Sequence, residues 1–132
     1  MHPYLQQKSV LDFHKKYNVA ITAYAPIGAS GFGGKGSEHK ALSLFEEPVI
    51  KSLSEKHQRS PAQIVLRWHT QRGVIVIPKT TKEARLAENI NVFDFTLSEE
   101  DMAEIATLDQ NVHFFNPENW AGATFGKMPY FA

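Results

Sequence analysis

Val74 to Asn89 reads VIVIPKTTKEARLAEN, and its two halves obey different rules. Val74, Ile75, Val76 and Ile77 are all β-branched and apolar. Such an unbroken run fits a strand buried on both faces, the pattern of parallel sheets. Pro78 closes it. Thr80, with Glu83 three residues on, then spells a capping box, and Leu86 and Ile90, four apart, predict the inward face of a helix. The strand delivers Lys79 to its carboxyl end, where the helix is expected to begin at Thr80 or Thr81. An ammonium, two hydroxyls and unpaired backbone N–H groups then converge, which in physical terms is an anion site. Arg85, Glu88 and Asn89 are spaced three and four apart and so project along one ridge beside it. Recognition of a phosphorylated nucleotide and an ordinary capped helix with solvated charges are the two readings this pattern allows.

The flanking chain repeats the alternation. Val10, Phe13, His14 and Tyr17 fall at helical spacing between Gln6 and Tyr17, and Val19 to Ala25 reads as a strand stopped by Pro26 and Gly28. Gly28 to Gly36 is a glycine-rich loop, after which Pro48 suits the first turn of a helix whose Val49, Ile50 and Leu53 share a face. Ser60-Pro61-Ala62-Gln63 combines an N-cap, a first-turn proline and a capping-box glutamine. Ile64 and Trp68 follow on one stripe, and Gly73 ends the helix. Ser98 and Asp101 open the last helix, with Met102, Ile105 and Leu108 toward the core. Beyond Asp109 the periodicity is lost, but Phe114, Phe115, Trp120, Phe125, Tyr130 and Phe131 remain, too aromatic for an ordinary disordered tail.

Helix, strand, helices, strand, helices predicts an α/β fold with a parallel sheet. Two strands alone do not make a stable parallel sheet, so the pattern reads as a segment of a larger repeating β/α fold. A barrel of eight such units takes about 250 residues, whereas this chain has 132. The expectation is therefore a partial (β/α)8 TIM barrel, its C-terminal portion only, to be completed by a missing N-terminal half or by self-association.

Composition narrows the function further. The basic and acidic side chains number 14 each, for a formal net charge of zero. There is then no general electrostatic reason to bind nucleic acid or an anionic membrane. Cysteine is absent, which rules out disulfides and thiolate metal sites and is compatible with the cytoplasm. No apolar run approaches the roughly 18 residues of a membrane span. The six histidines are scattered without a metal-ligand spacing, so no metal is expected. Gly31, Gly33 and Gly36 formally spell G-x-G-x-x-G. That fingerprint must open a helix inside a βαβ unit of about 30 residues, while the next strand starts only at Val74, so a mobile loop is the better reading.

Ile77 to Ile105, IPKTTKEARLAENINVFDFTLSEEDMAEI, is similar to the signature of the aldo-keto reductases. His2 to Gln7, HPYLQQ, resembles the end of that family's sixth strand, and Ala23 to Gly28, AYAPIG, resembles its seventh. The resemblance implies that Lys79, Thr80 and Arg85 hold the 2′-phosphate of NADP(H). It assigns Glu88 and Asn89 to the adenine and Thr81 to a backbone contact. By the same resemblance Tyr24 stacks on the nicotinamide, and Ala25, Pro26, Ile27 and Gly28 line the pyrophosphate. Ala25 and Ala29 stand where many relatives have serines, which removes two hydrogen bonds to the cofactor. The glycine-rich loop corresponds to one that folds over the bound cofactor, and Trp120 is the candidate substrate-pocket residue in the aromatic tail.

The family's catalytic aspartate, tyrosine, lysine and histidine all come from its first four strands, which this sequence does not contain. Tyr4, Tyr17 and Tyr130 do not sit in the family's tyrosine motif, so no catalytic residue is assigned. A carbonyl must be polarised and protonated by positioned groups for reduction to proceed, and the chain alone is expected to be inactive. Two functions follow: part of an NADPH-dependent carbonyl reductase, whose carbonyl substrate binds only in a completed barrel, or a non-catalytic nucleotide-binding remnant or pseudoenzyme that associates with another chain.

Overall fold

The structure, a computed structural model, describes residues 1–28 and 43–114. In chain order its elements are α1 (Lys8–Tyr17), β1 (Ile21–Ala23), α2 (Pro48–His57), α3 (Pro61–Gln71), β2 (Val74–Val76), α4 (Glu83–Ile90) and α5 (Glu99–Ala106). β1 and β2 pair in parallel, Ile21 opposite Val74 and Ala23 opposite Val76. The expected α/β fold with a parallel sheet is therefore present, and the crossover between the strands runs through α2 and α3.

The core lies between α2, α3 and α5. Ile50 and Leu53 of α2, Ile64, Val65 and Trp68 of α3, and Ile105 of α5 are each no more than 1% exposed, all but Val65 on the stripes their spacing predicted. Two of these helices start where the sequence says. Ser60 accepts from the Gln63 amide at 3.3 Å while Gln63 Oε1 accepts from the Ser60 amide at 3.1 Å. Ser98 and Asp101 form the same reciprocal pair. Asp101 also receives Lys56 Nζ at 2.6 Å and faces His57 Nε2 at 2.7 Å, so one buried carboxylate caps α5 and ties it to α2.

Several expectations need correction. His2 to Gln7 is a tight turn closed by an isolated antiparallel bridge between His2 and Leu5, not the end of a strand. This segment is laced to the end of α5. The Tyr4 carbonyl accepts the Gln110 and Val112 amides, and Gln6 Nε2 donates to the Ile105 carbonyl at 2.9 Å. In α1 the buried residue is Leu11, while Phe13 and Tyr17 are exposed. Spacing predicted an apolar face there, but β1 and β2 lie on the side of Leu11, which packs with Ala23 and Val74. β1 is shorter than Val19–Ala25, because Ala25 turns into the left-handed region at φ 49°.

β2 is not buried on both faces. Val74 is buried, but Ile75 is 51% exposed and Ile77 beyond it 54%. Leu86 and Ile90 of α4, expected to face inward, are 57% and 73% exposed, and Phe93 is 69% exposed. The common cause is that no described element covers these side chains. We expect the isolated chain to self-associate through them, as exposed apolar faces and open strand edges do. Sedimentation velocity at micromolar concentration should show species larger than a monomer, and a compact monomer that unfolds cooperatively would contradict this. Among the described residues no helix is long and apolar enough to cross a membrane.

Candidate functional site

Past the carboxyl end of β1 the chain makes a tight turn. Gly28 N–H donates to the Ala25 carbonyl at 3.0 Å, and Gly28 itself has φ 77°. A Cβ at Gly28 would lie 3.2 Å from Leu44 Cδ1 and 3.4 Å from Phe114 Cε2. Backbone conformation and close approach thus both favour glycine there. Tyr24, 64% exposed, leads into the turn, and Pro26 is buried with its carbonyl 3.1 Å from His69 Nε2.

Beyond β2, Ile77, Lys79 and Thr80 run out beside this turn, and α4 adds Arg85, Glu88 and Asn89. Together they line a single groove of about 780 Å³, within the ordinary size range of small-molecule sites. Tyr24, Ala25, Pro26, Ile27 and Gly28 form its other wall. Every cofactor-contact residue read from the sequence lines this groove except Thr81, which is exposed and outside the lining. Phe45, Glu46 and the start of α3, Ser60 to Ala62, also line it and were not foreseen. The signal available for Ser60 to Ala62 was their helix-start pattern, which marks a helix end but not what that end faces.

The anion-site geometry differs from expectation in one respect. α4 begins at Glu83, with Lys82 as its uncapped N-cap, not at Thr80 or Thr81. The reason is local. Thr80 Oγ1 accepts the Lys82 amide at 3.1 Å, a side-chain turn that competes with helical hydrogen bonding. The helix N-terminus is thereby displaced, and Arg85 moves into the first turn. Positive charge at the groove comes chiefly from Lys79 and Arg85. Among the described residues neither is engaged in an ion pair, whereas Lys8, Lys51, Lys56 and Arg59 all are. Glu46, one of the two acids lining the groove, is paired with Lys51, which tempers its repulsion of an anion.

Other chemistry-bearing groups have structural roles. Tyr4 is buried and donates from Oη to Glu47 Oε2 at 2.8 Å. Burial, then the Glu47 carboxylate, push its phenol well above the usual range. Among the described residues no group of three or more His, Asp or Glu side chains is placed to hold a metal. Trp120, Ala29 and the Gly31-Gly33-Gly36 loop lie outside the described residues.

A groove at the carboxyl ends of parallel strands is where α/β proteins place their sites, and comparison with known proteins gives this one a family. Residues 1–110 match the model of the aldo/keto reductase family. The chain belongs to that family. It is 42% identical over 132 residues to the NAD(P)H-dependent D-xylose reductase of Scheffersomyces stipitis, covering 98% of this chain and 40% of the relative. It is 45% identical over 132 residues to the NADPH-dependent D-xylose reductase of Meyerozyma guilliermondii, with the same 98% and 40% coverage. To aldo-keto reductase family 1 member A1 of Bos taurus it is 45% identical over 116 residues, covering 88% of this chain and 35% of that protein. Among solved structures, an aldo/keto reductase from Brucella melitensis superposes with a TM-score of 0.69 at 42% identity, over 83% of this chain and 37% of the other. The chain thus spans about two-fifths of the length of the curated relatives it matches.

Proposed function

We propose that this chain is the C-terminal portion of a (β/α)8 barrel and supplies much of the cofactor site of an NADPH-dependent aldo-keto reductase. The observation that carries the reading is the meeting, in one groove, of the Tyr24–Gly28 turn with Lys79, Thr80, Arg85, Glu88 and Asn89. These segments are separated by about fifty residues of sequence. Lys79 and Arg85, without an ion pair among the described residues, offer two cations to a 2′-phosphate, and Arg85 can bind it through two parallel N–H bonds. The exposed Tyr24 ring suits a flat heterocycle, to which an aromatic face offers stacking. When bound, the nicotinamide supplies the hydride that reduces a carbonyl. This chain's residues bind and orient it, while the groups that polarise and protonate the carbonyl belong to the remainder of the barrel. Thr81 is retained as a backbone contact, Trp120 as a substrate-pocket residue, and the cytoplasm as the compartment.

The test is a chimera in which this chain replaces the segment it matches in the Scheffersomyces stipitis reductase. Titrated by fluorescence, it should bind NADP+ more than about tenfold tighter than NAD+, since tenfold needs only about 1.4 kcal/mol. The chimera should reduce an aldehyde, whereas this chain alone should not exceed a control protein. Equal affinity for the two cofactors, or failure to bind either, would remove the reading. Binding without turnover in the chimera would favour the non-catalytic nucleotide-binding alternative.

A further inference from the structure

Ala25 holds a left-handed conformation, φ 49°, although it is not glycine. Such a residue persists only where its surroundings fix it. The turn's own closure, Gly28 N–H to the Ala25 carbonyl, is a single hydrogen bond between two half-buried residues that line the groove. Beneath it lies His69, on the inner side of α3 and 0% exposed, with Nε2 3.1 Å from the Pro26 carbonyl. His69 is fixed in turn, its ring edge-on to Trp68 with centroids 4.6 Å apart, and Trp68 carries the Arg72 guanidinium at 4.0 Å.

We propose that His69 is a positioning residue: by donating from Nε2 to the Pro26 carbonyl, it holds the Ala25–Gly28 turn in the shape that walls the groove. A carbonyl only accepts, so the ring must carry its proton on Nε2, which leaves Nδ1 unprotonated in the neutral form. Burial keeps the ring neutral, driving its pKa down to about 3, with the Pro26 bond opposing that fall and nearby Arg72 adding to it. The contact is therefore constant across the physiological range. It transmits the rigidity of the α3 core to a turn whose two central residues, Pro26 and Ile27, have no strand pairing of their own. The shape of the turn is a property of the fold, and its service to a cofactor rests on the function proposed above.

Hydrogen–deuterium exchange read by mass spectrometry, on the full chain at submicromolar concentration, tests the contact without any cofactor. His69→Met, which fills the site but cannot donate, should speed exchange of the Tyr24–Gly28 segment about tenfold, as the loss of one buried hydrogen bond does. Peptides from α2 and α5 should be unaffected. His69→Gln, whose amide reaches the Nε2 position, should restore the segment to within about threefold of wild type. Unchanged exchange in His69→Met, or equal acceleration in both variants across the whole core, would overturn the proposal. The wild-type chain gives a check that needs no variant. The 15N spectrum of histidine-labelled, sedimented protein should show His69 as the Nε2–H tautomer, and an Nδ1–H tautomer would be decisive against it. NADP+ titration of the same variants in the chimera separates the two claims. No binding by the wild-type chimera sinks the cofactor reading, while the exchange data still decide the role of His69.

Discussion

Asp101→Ala should destabilise the chain by about 2–4 kcal/mol, the largest effect expected of any single polar substitution here. The Asp101 side chain is 1% exposed, and the three partners of its carboxylate come from α2 and the start of α5: the Ser98 amide at 3.0 Å, His57 Nε2 at 2.7 Å and Lys56 Nζ at 2.6 Å. Losing a helix cap costs about 0.5–2 kcal/mol, and losing a charge-assisted bond to the largely buried His57 about 1.5–3 kcal/mol. Lys56, on the surface, returns to water. Urea unfolding at submicromolar concentration, followed by the fluorescence of Trp68 in the same core, measures the difference. A loss below about 1 kcal/mol would mean that α2 and α5 are held by apolar packing alone.

The same carboxylate sets an acid limit. Burial pushes the Asp101 pKa up, but the Lys56, Ser98 and His57 contacts outweigh it and bring the pKa down from 3.8 to about 2. A group depressed in the folded state contributes stability above its unfolded pKa and loses it as the pH falls through the folded one. Asp101 therefore stabilises fully above pH 3.8, and that contribution disappears as the pH drops toward about 2. Asp101→Asn, with no proton to gain, should flatten the stability profile within that window.

Arg85→Ala should weaken NADP+ binding about tenfold to a hundredfold in the chimera and leave NAD+ binding nearly unchanged. A charge-assisted bond to phosphate contributes about 1.5–3 kcal/mol, and exposure of Arg85 places the effect toward the lower part of that range. The displaced start of α4 sharpens the expectation. With Thr80 turned onto the Lys82 amide, less helix-terminal N–H remains at the strand end, and more of the phosphate's recognition falls to the Lys79 and Arg85 side chains. Paired fluorescence titrations with the two cofactors provide the measurement. Equal losses for NADP+ and NAD+ would show that Arg85 supports the local fold and does not read the phosphate.

Much of the architecture was legible because its signals are local. Ser60 with Gln63 and Ser98 with Asp101 are caps that span three residues, and both formed as read. The Thr80–Glu83 pattern looked the same in sequence yet did not cap α4, because a threonine hydroxyl has two local amides within reach and here took the nearer one. The burial errors at Phe13, Ile75, Leu86 and Ile90 have a different origin. Periodicity reports which face of an element is apolar, but not whether anything is present to cover it. The groove was legible in part: Tyr24–Gly28, Lys79, Thr80, Arg85, Glu88 and Asn89 came from the family resemblance, while Ser60 to Ala62 carried only a helix-start signal. Phe45 and Glu46 escaped because they lie in an irregular segment that only the fold brings alongside.

No residue of α4 is buried, and among the described residues Gln63 links it to α3. While its oxygen serves the Ser60 amide, its nitrogen reaches the carbonyls of Glu88 at 3.3 Å and Asn91 at 2.8 Å. Among the described residues, the side-chain hydrogen bonds from α3 to the end of the helix that bears Arg85, Glu88 and Asn89 thus come from one amide. Side chains that would discriminate between ligands and side chains that fold the protein are then almost disjoint sets. Polar substitutions at Arg85, Glu88 and Asn89 would then alter ligand preference at the proposed site at little cost to the packing described here. Gln63 is the exception, the position at which a change would be felt by both.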